Sequence, residues 1–220
     1  MRVLDIEQGS TEWMSFREGK ITGTSIGKLY AKSRKIDELY DVDKPLLGFY
    51  EKVAEKLAVG TADDGEDKAG LGSTKERGKA LEAEAVARTE EELGLDLIRG
   101  NVWISDEDGE HIESPDAYTK DLKTAVEIKC LSSGRHIMAI SLGEPPKEYW
   151  PEYLNYFLVN EKLEKLHVVL YDPRFILPHL QFADFTIERS DVAYEIERMR
   201  DIKEIAKERI EQTVRALAKA

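Results

Sequence analysis

Three side chains near the middle of the chain carry the types that phosphodiester chemistry needs. Asp116 stands in Ser114-Pro115-Asp116, and Glu127 and Lys129 stand two apart in Val126-Glu127-Ile128-Lys129-Cys130. In an extended strand alternate side chains share a face, so Glu127 and Lys129 point one way while Val126, Ile128 and Cys130 point into packing. The polar stretch Thr119–Lys123 reads as a turn, and a hairpin there returns Asp116 to the side of Glu127. Two carboxylates at close quarters repel unless a hard cation bridges them. Mg²⁺ takes oxygen ligands and keeps waters that a substrate phosphate can displace. The Ile128 carbonyl would add a third protein oxygen, and Lys129 would orient an attacking water or stabilise charge growing on a phosphate. The plain alternative is a solvated hairpin whose Asp, Glu and Lys merely pair with one another. Residue types and spacing alone leave both readings open.

The elements around this hairpin must position it. Ser10 and Thr11 are cap types for a short helix through Arg17, and Thr22 or Thr24 opens a second helix with Lys28, Lys32 and Lys35 on one side. A third amphipathic helix is read over residues 43–60, with Leu46, Phe49, Val53 and Leu57 in register. Residues 61–73 are rich in Gly and Asp and read as a loop. A strong helix follows from Ser73 or Thr74 to the stop at Gly94. Residues 95–118 read as two strands joined by an Asp108-Gly109 turn, and residues 124–131 as a third. A helix led by Pro151, with Leu154, Phe157 and Leu158 as its apolar side, precedes strands ending at Asp172-Pro173 and near Ser190. A long terminal helix capped by Ser190 carries Ile196, Met199, Ile202, Ile205 or Ala206, Ile210 and Val214 at helical spacing. This order predicts one domain over 1–220, α/β (α+β), with a mostly antiparallel sheet flanked by helices.

Composition narrows the function classes. The chain has 220 residues, 41% hydrophobic and 35% charged, ordinary for a globular protein with a full-sized core. No apolar run approaches the roughly 20 residues that span a bilayer, and the first residues lack a signal-peptide core, so no membrane partner is expected. A single cysteine excludes an internal disulfide and suits the cytoplasm. The four histidines are too scattered to suggest zinc. A net charge of −12 argues against an indiscriminate nucleic-acid coat, though not against a nuclease with locally concentrated cations.

Four blocks in order carry a resemblance. Ser114-Pro115-Asp116 with Glu127-Ile128-Lys129-Cys130 resembles the PD-(D/E)xK nuclease core. The N-terminal segment with Glu7, Gln8, Gly9, Trp13, Arg17, Gly19, Ile21 and Thr22, the helix RGKALEAEA and the strand end YDPRF are similar to the lambda exonuclease (YqaJ-type viral recombinase) family. The resemblance implies a restriction-endonuclease-like core with a central mixed sheet. It implies Asp116, Glu127, Glu82 and the Ile128 carbonyl as metal ligands, Lys129 as the catalytic lysine, and two Mg²⁺ ions per site, with Mn²⁺ as a substitute. Arg17, Thr24 and Ser114 match the family's 5′-phosphate pocket, although the family usually has serine where Thr24 stands. Lys28, with Lys32 and Lys35, would form a cationic rim for DNA or serve only solubility. Tyr153 and Asn155 stand where the family has glutamines, and Asn155 keeps an amide able to meet water or phosphate.

The activity so implied is Mg²⁺-dependent 5′-to-3′ digestion of linear double-stranded DNA from a 5′-phosphorylated end. It leaves 3′ single-stranded tails for recombination. A homotrimeric ring, a single-strand annealing protein as partner, and a phage or prophage origin in a bacterial cytoplasm are implied with it. Two other readings stand beside this one: another PD-(D/E)xK endonuclease, and a catalytically inactive binding or scaffold relative.

Overall fold

The computed structural model describes residues 1–23, 26, 44–59, 74–105, 109 and 111–217. The helix expected from Thr22 or Thr24, with Lys28, Lys32 and Lys35, lies almost wholly outside these residues, as do the loop at 61–73 and Asp108. Eight strands and six α-helices follow in chain order among the described residues: β1 (Arg2–Leu4), α1 (Thr11–Arg17), α2 (Lys44–Leu57), α3 (Thr74–Leu93), β2 (Leu97–Arg99), β3 (Val102–Ile104), β4 (Ile112–Glu113), β5 (Ala117–Thr119), β6 (Thr124–Lys129), α4 (Ser133–Leu142), α5 (Trp150–Val159), β7 (Lys165–Tyr171), β8 (Phe182–Glu188) and α6 (Ala193–Leu217).

Five strands form the main sheet in the order β2-β5-β6-β7-β8. All neighbours are antiparallel except β6 and β7, which run parallel from Thr124↔Lys165 to Lys129↔Leu170. A parallel pair cannot be closed by a tight turn, and the crossover supplies α4 and α5. Because helices cover both faces, β7 is mostly apolar, with His167 paired to Asp184, and is buried from Leu166 onward. One face, with Ala125, Leu166 and Val168, packs on Tyr153, Tyr156 and Phe157 of α5 and on Ile196 and Met199 of α6. The other, with Val126, Ile128, Val169 and Tyr171, packs on Ala85 and Val86 of α3. The expected alternation of β6 is therefore observed, with Glu127 and Lys129 on the α5 face.

A second sheet, β1-β3-β4, matters because it carries α1. Ile6, Val102, Ile104 and Ile112 form its core, and Trp13 and Phe16 of α1 pack against it. Ser10 caps α1 by accepting the amide of Trp13 at 3.0 Å, as its residue type predicts.

Several elements differ from expectation. The run 95–105 is not one strand. Gly100 (φ 70°) and Asn101 (φ 84°) take left-handed backbone, and the chain leaves the main sheet at β2 to enter the second sheet at β3. Helix α4 lies where no element was expected, and it ends on Gly143 at φ 68°. Helix α5 is buried all round from Tyr153 to Val159 rather than along one apolar side. Phe49 is 61% exposed, off the apolar face of α2. Helix α6 begins at Ala193 rather than at a Ser190 cap, and Ile205 and Val214 are exposed, so the helix packs mainly through its first turns.

Arg189 ties the α5 face together. Its guanidinium donates to the carbonyls of Leu163 at 2.6 Å and of Phe157 and Asn160 at 2.7 Å, closing the end of α5 against β8. Charge-assisted bonds of this kind contribute about 1.5–3 kcal/mol each when lost singly. Arg189→Ala is expected to lower stability by roughly 2–4 kcal/mol, read as a shifted urea midpoint at unchanged slope.

Candidate active site

Register alone brings the three central side chains together. Ala117 pairs with Val126, so Asp116 enters β5 beside Glu127. The Ile128 amide then donates to Asp116 Oδ2 at 2.7 Å, locking the carboxylate against the strand. Glu127 Oε1 accepts from Lys129 Nζ at 2.6 Å, and Glu127 Oε2 accepts from the Tyr156 hydroxyl. Lys129 is shared: its ammonium also donates to Glu152 Oε2 at 2.8 Å and lies 4.2 Å from the centre of the Tyr149 ring. Burial works against the Lys129 charge, but Glu127 and Glu152 overcome it and hold the pKa well above the usual lysine value. Lys129 is thus a fixed cation, suited to stabilising phosphate charge and not to taking up a proton.

The carboxylates tell the complementary story. Burial and then the charge of Glu127 push Asp116 well above the usual range, with Glu82 adding to the effect. Glu152 is raised by burial and by Glu127. Among the described residues no three Asp, Glu, His or Cys side chains are close enough to form a metal cage as they stand. The donor set nonetheless fits a hard cation: buried carboxylate oxygens that resist ionising together are what Mg²⁺ or Mn²⁺ would relieve. Glu82 of α3 lines the same cleft, with Arg99 at 3.4 Å from its Oε1.

Beside this cluster lies a second group on α1 and at the end of β4. Ser114 Oγ accepts from Trp13 Nε1 at 3.0 Å and from Arg17 Nη1 at 3.4 Å, and the Arg17 guanidinium sits 4.1 Å over the Trp13 ring. Arg17 also lies within the fields of Glu113 and Glu152, which links it to the Lys129 cluster. A cleft of about 950 Å³ includes Trp13, Glu82, Lys129 and Tyr149 in its walls.

The structure gathers Asp116, Glu127, Ile128 and Lys129, places Glu82 in the wall of the cleft, and pairs Arg17 with Ser114. Thr24 and Lys28 lie outside the described residues. Asn155 is the exception. It is wholly buried, its amide donates to Glu113 Oε2 at 2.6 Å and to the Ile112 carbonyl at 3.2 Å, and it does not reach the cleft. Sequence reasoning missed Glu152 and Tyr156, which are the α5 residues that meet Lys129 and Glu127. Their spacing of four on one helix was the available signal, since such positions share a face. It also missed Glu113, whose carboxylate is held by Asn155 and by the Ser114 amide at 3.0 Å.

An aspartate, a glutamate and a lysine are thus held at one end of a mixed sheet beside an arginine–serine pair, an arrangement that phosphodiester hydrolysis can use. The YqaJ-like viral recombinase domain model matches residues 12–161, and the chain belongs to that family. No curated protein matches the sequence. Among solved structures, the fold is similar to that of an alkaline exonuclease (LHK-Exo) from Laribacter hongkongensis, at 21% identity and TM-score 0.64, covering 96% of this chain and 99% of that one. The same exonuclease in complex with dAMP gives TM-score 0.65 at 21% identity and the same coverage.

Glu113 generates a pH prediction. Burial and then Glu152 raise its pKa from an ordinary carboxyl value to about 8. A raised folded-state pKa means that the folded protein holds a proton which the unfolded chain has released. The Glu113 contribution is therefore full below about pH 4.5 and is lost as pH rises through about 8, at about 1.4 kcal/mol per unit. Glu113→Gln, which keeps a neutral group of the same shape, is expected to flatten the fall in stability between these limits, measured by urea denaturation in EDTA.

Proposed function

We propose that the protein is a divalent-metal-dependent exodeoxyribonuclease that digests linear double-stranded DNA from a 5′-phosphorylated end, 5′ to 3′, leaving 3′ single-stranded tails. The observation that carries this reading is the joining of two groups through shared electrostatics: the Arg17–Ser114 pair and the Lys129–Glu127–Asp116 cluster. An arginine fork and a hydroxyl suit a terminal phosphate, and a fixed lysine beside buried carboxylates suits phosphodiester hydrolysis one step along the strand. YqaJ-family membership supports the same chemistry.

Within this reading Arg17 and Ser114 hold the terminal phosphate, and Trp13 holds the guanidinium flat by stacking. Lys129 stabilises negative charge on the scissile phosphate. Glu152 and Glu127 fix the ammonium from two sides, and Tyr156 fixes Glu127. Asp116, Glu127, Glu82 and the Ile128 carbonyl would hold Mg²⁺ or Mn²⁺, in two ions per site, which supply Lewis-acid charge and a water of lowered pKa when bound. The oxygens of Asp116 are aimed in advance by the Ile128 amide, so their orientation costs little on binding. A PD-(D/E)xK core, a homotrimeric ring and a single-strand annealing partner belong to the same proposal. No described helix is long and apolar enough to cross a membrane.

The reading is tested by offering the protein Mg²⁺ with linear duplex carrying either a 5′-phosphate or a 5′-hydroxyl, and with covalently closed circles. Linear phosphorylated duplex is expected to be consumed to mononucleotides, circles to survive, and Arg17→Ala to lose the preference for phosphorylated ends. Cutting of closed circles would replace this reading with an endonuclease.

A further inference from the structure

The chain that follows Lys129 ends in a helix start that faces the cleft without a cap. Helix α4 has ten residues, its N-cap is Ser132, and no side chain caps it. Ser132 is only 4% exposed, and its Oγ has no hydrogen-bond partner among the described residues. Ser132 and Arg135 both line the cleft that holds Lys129 and Glu82. The Nε of Arg135 is likewise buried without a partner, while its Nη1 stands 3.6 Å from Glu148.

The surroundings hold this corner still. Buried Arg77 donates to the carbonyls of Cys130 at 3.1 Å and Leu131 at 2.5 Å. Ser133 Oγ donates to Asp172 Oδ2 at 2.8 Å, and Asp172 is in turn bound by Arg174. The neighbouring hydroxyl is thus committed to Asp172, whereas the Ser132 hydroxyl has no partner among the described residues. A Cβ on Gly134 would stand 2.6 Å from Glu51 Cγ, so the first turn of α4 is pressed against α2. First-turn amides of a helix have no intrahelical acceptor and favour an anion.

We propose that Ser132, Arg135 and the first-turn amides of α4 form a second phosphate subsite, which binds a phosphodiester of the DNA strand beside the one at Lys129. The proposal rests on the nuclease reading above. Ser132 lies three residues beyond Lys129 along the chain, a reach of at most roughly 10 Å. That is the scale of neighbouring phosphates on a strand rising about 3.4 Å per nucleotide. Arg17–Ser114 holds the terminal phosphate, Lys129 meets the scissile one, and α4 holds a third contact on the strand.

The test compares wild type, Ser132→Ala and Arg135→Gln for binding a 5′-phosphorylated duplex in EDTA, by fluorescence anisotropy between about 50 and 200 mM salt. Displacement of the duplex by dAMP is measured in parallel. Arg135→Gln is expected to weaken duplex binding about tenfold and to reduce the salt slope by about 0.9. Ser132→Ala, a small change that leaves the site packed, is expected to weaken it about threefold with the slope unchanged. The dAMP affinity stays at the wild-type value in both. Wild-type duplex affinity and slope in both variants would overturn the subsite while leaving the nuclease reading standing. Loss of dAMP affinity with duplex binding intact would make α4 a site for released product, which also overturns it. A wild-type protein that binds no duplex overturns both readings together.

Discussion

The ammonium of Lys129, held between Glu127 and Glu152, is the interaction on which the rest of the site depends. A buried charge is tolerated only when paired, and this one is paired twice. The pairing joins β6 to α5, because Glu127 and Lys129 come from the strand and Glu152 and Tyr156 from the helix. It also leaves an imbalance: Asp116, Glu127 and Glu152 crowd around one lysine, with Glu113 beside Glu152 and Arg17 at the edge. Negative charge in such excess needs either protons or a cation. Burial and mutual repulsion push Asp116, Glu113 and Glu152 upward, which favours the first, and a divalent ion would be the second.

Charge on the whole molecule says little about this chemistry. The net charge is −12, yet the cleft walls carry Lys79, Arg99, Lys129 and Arg135. A DNA strand meets a local field, and within about 10 Å at moderate salt local side chains outweigh distant ones. The second sheet has a related role. It is too small to add much core, but it carries α1 and so brings Trp13 and Arg17 to Ser114.

What was legible in the sequence follows from how local each constraint is. The alternation Val126-Glu127-Ile128-Lys129-Cys130 fixed the two faces of β6, because a strand has a period of two and the buried face tolerates no slip. The partnership of Asp116 with Glu127 was legible for the same reason, through the turn at 119–123. The split between β2 and β3 was not, since Ile98 and Val102 look alike in sequence and only the left-handed backbone at Gly100 and Asn101 separates them. Helix α4 was missed because Ser132 gives no side-chain cap and its first turn is polar and glycine-containing. The role of Asn155 was misplaced by position alone. Its amide is consumed by Glu113, a buried partner that no spacing rule connects to it. Glu152 lies on α5 facing Lys129, and that contact depends on a crossover whose packing local patterns do not encode.

The central claim is that a fixed Lys129 cation and the carboxylates beside it form the hydrolytic centre. Its most direct test is the rate at which Lys129→Met cuts a 5′-phosphorylated linear duplex in Mg²⁺, per folded molecule, with duplex binding measured alongside. The account predicts that binding survives within a few-fold while cutting falls by about 10²–10³. Cutting at the wild-type rate by a folded Lys129→Met protein would contradict it.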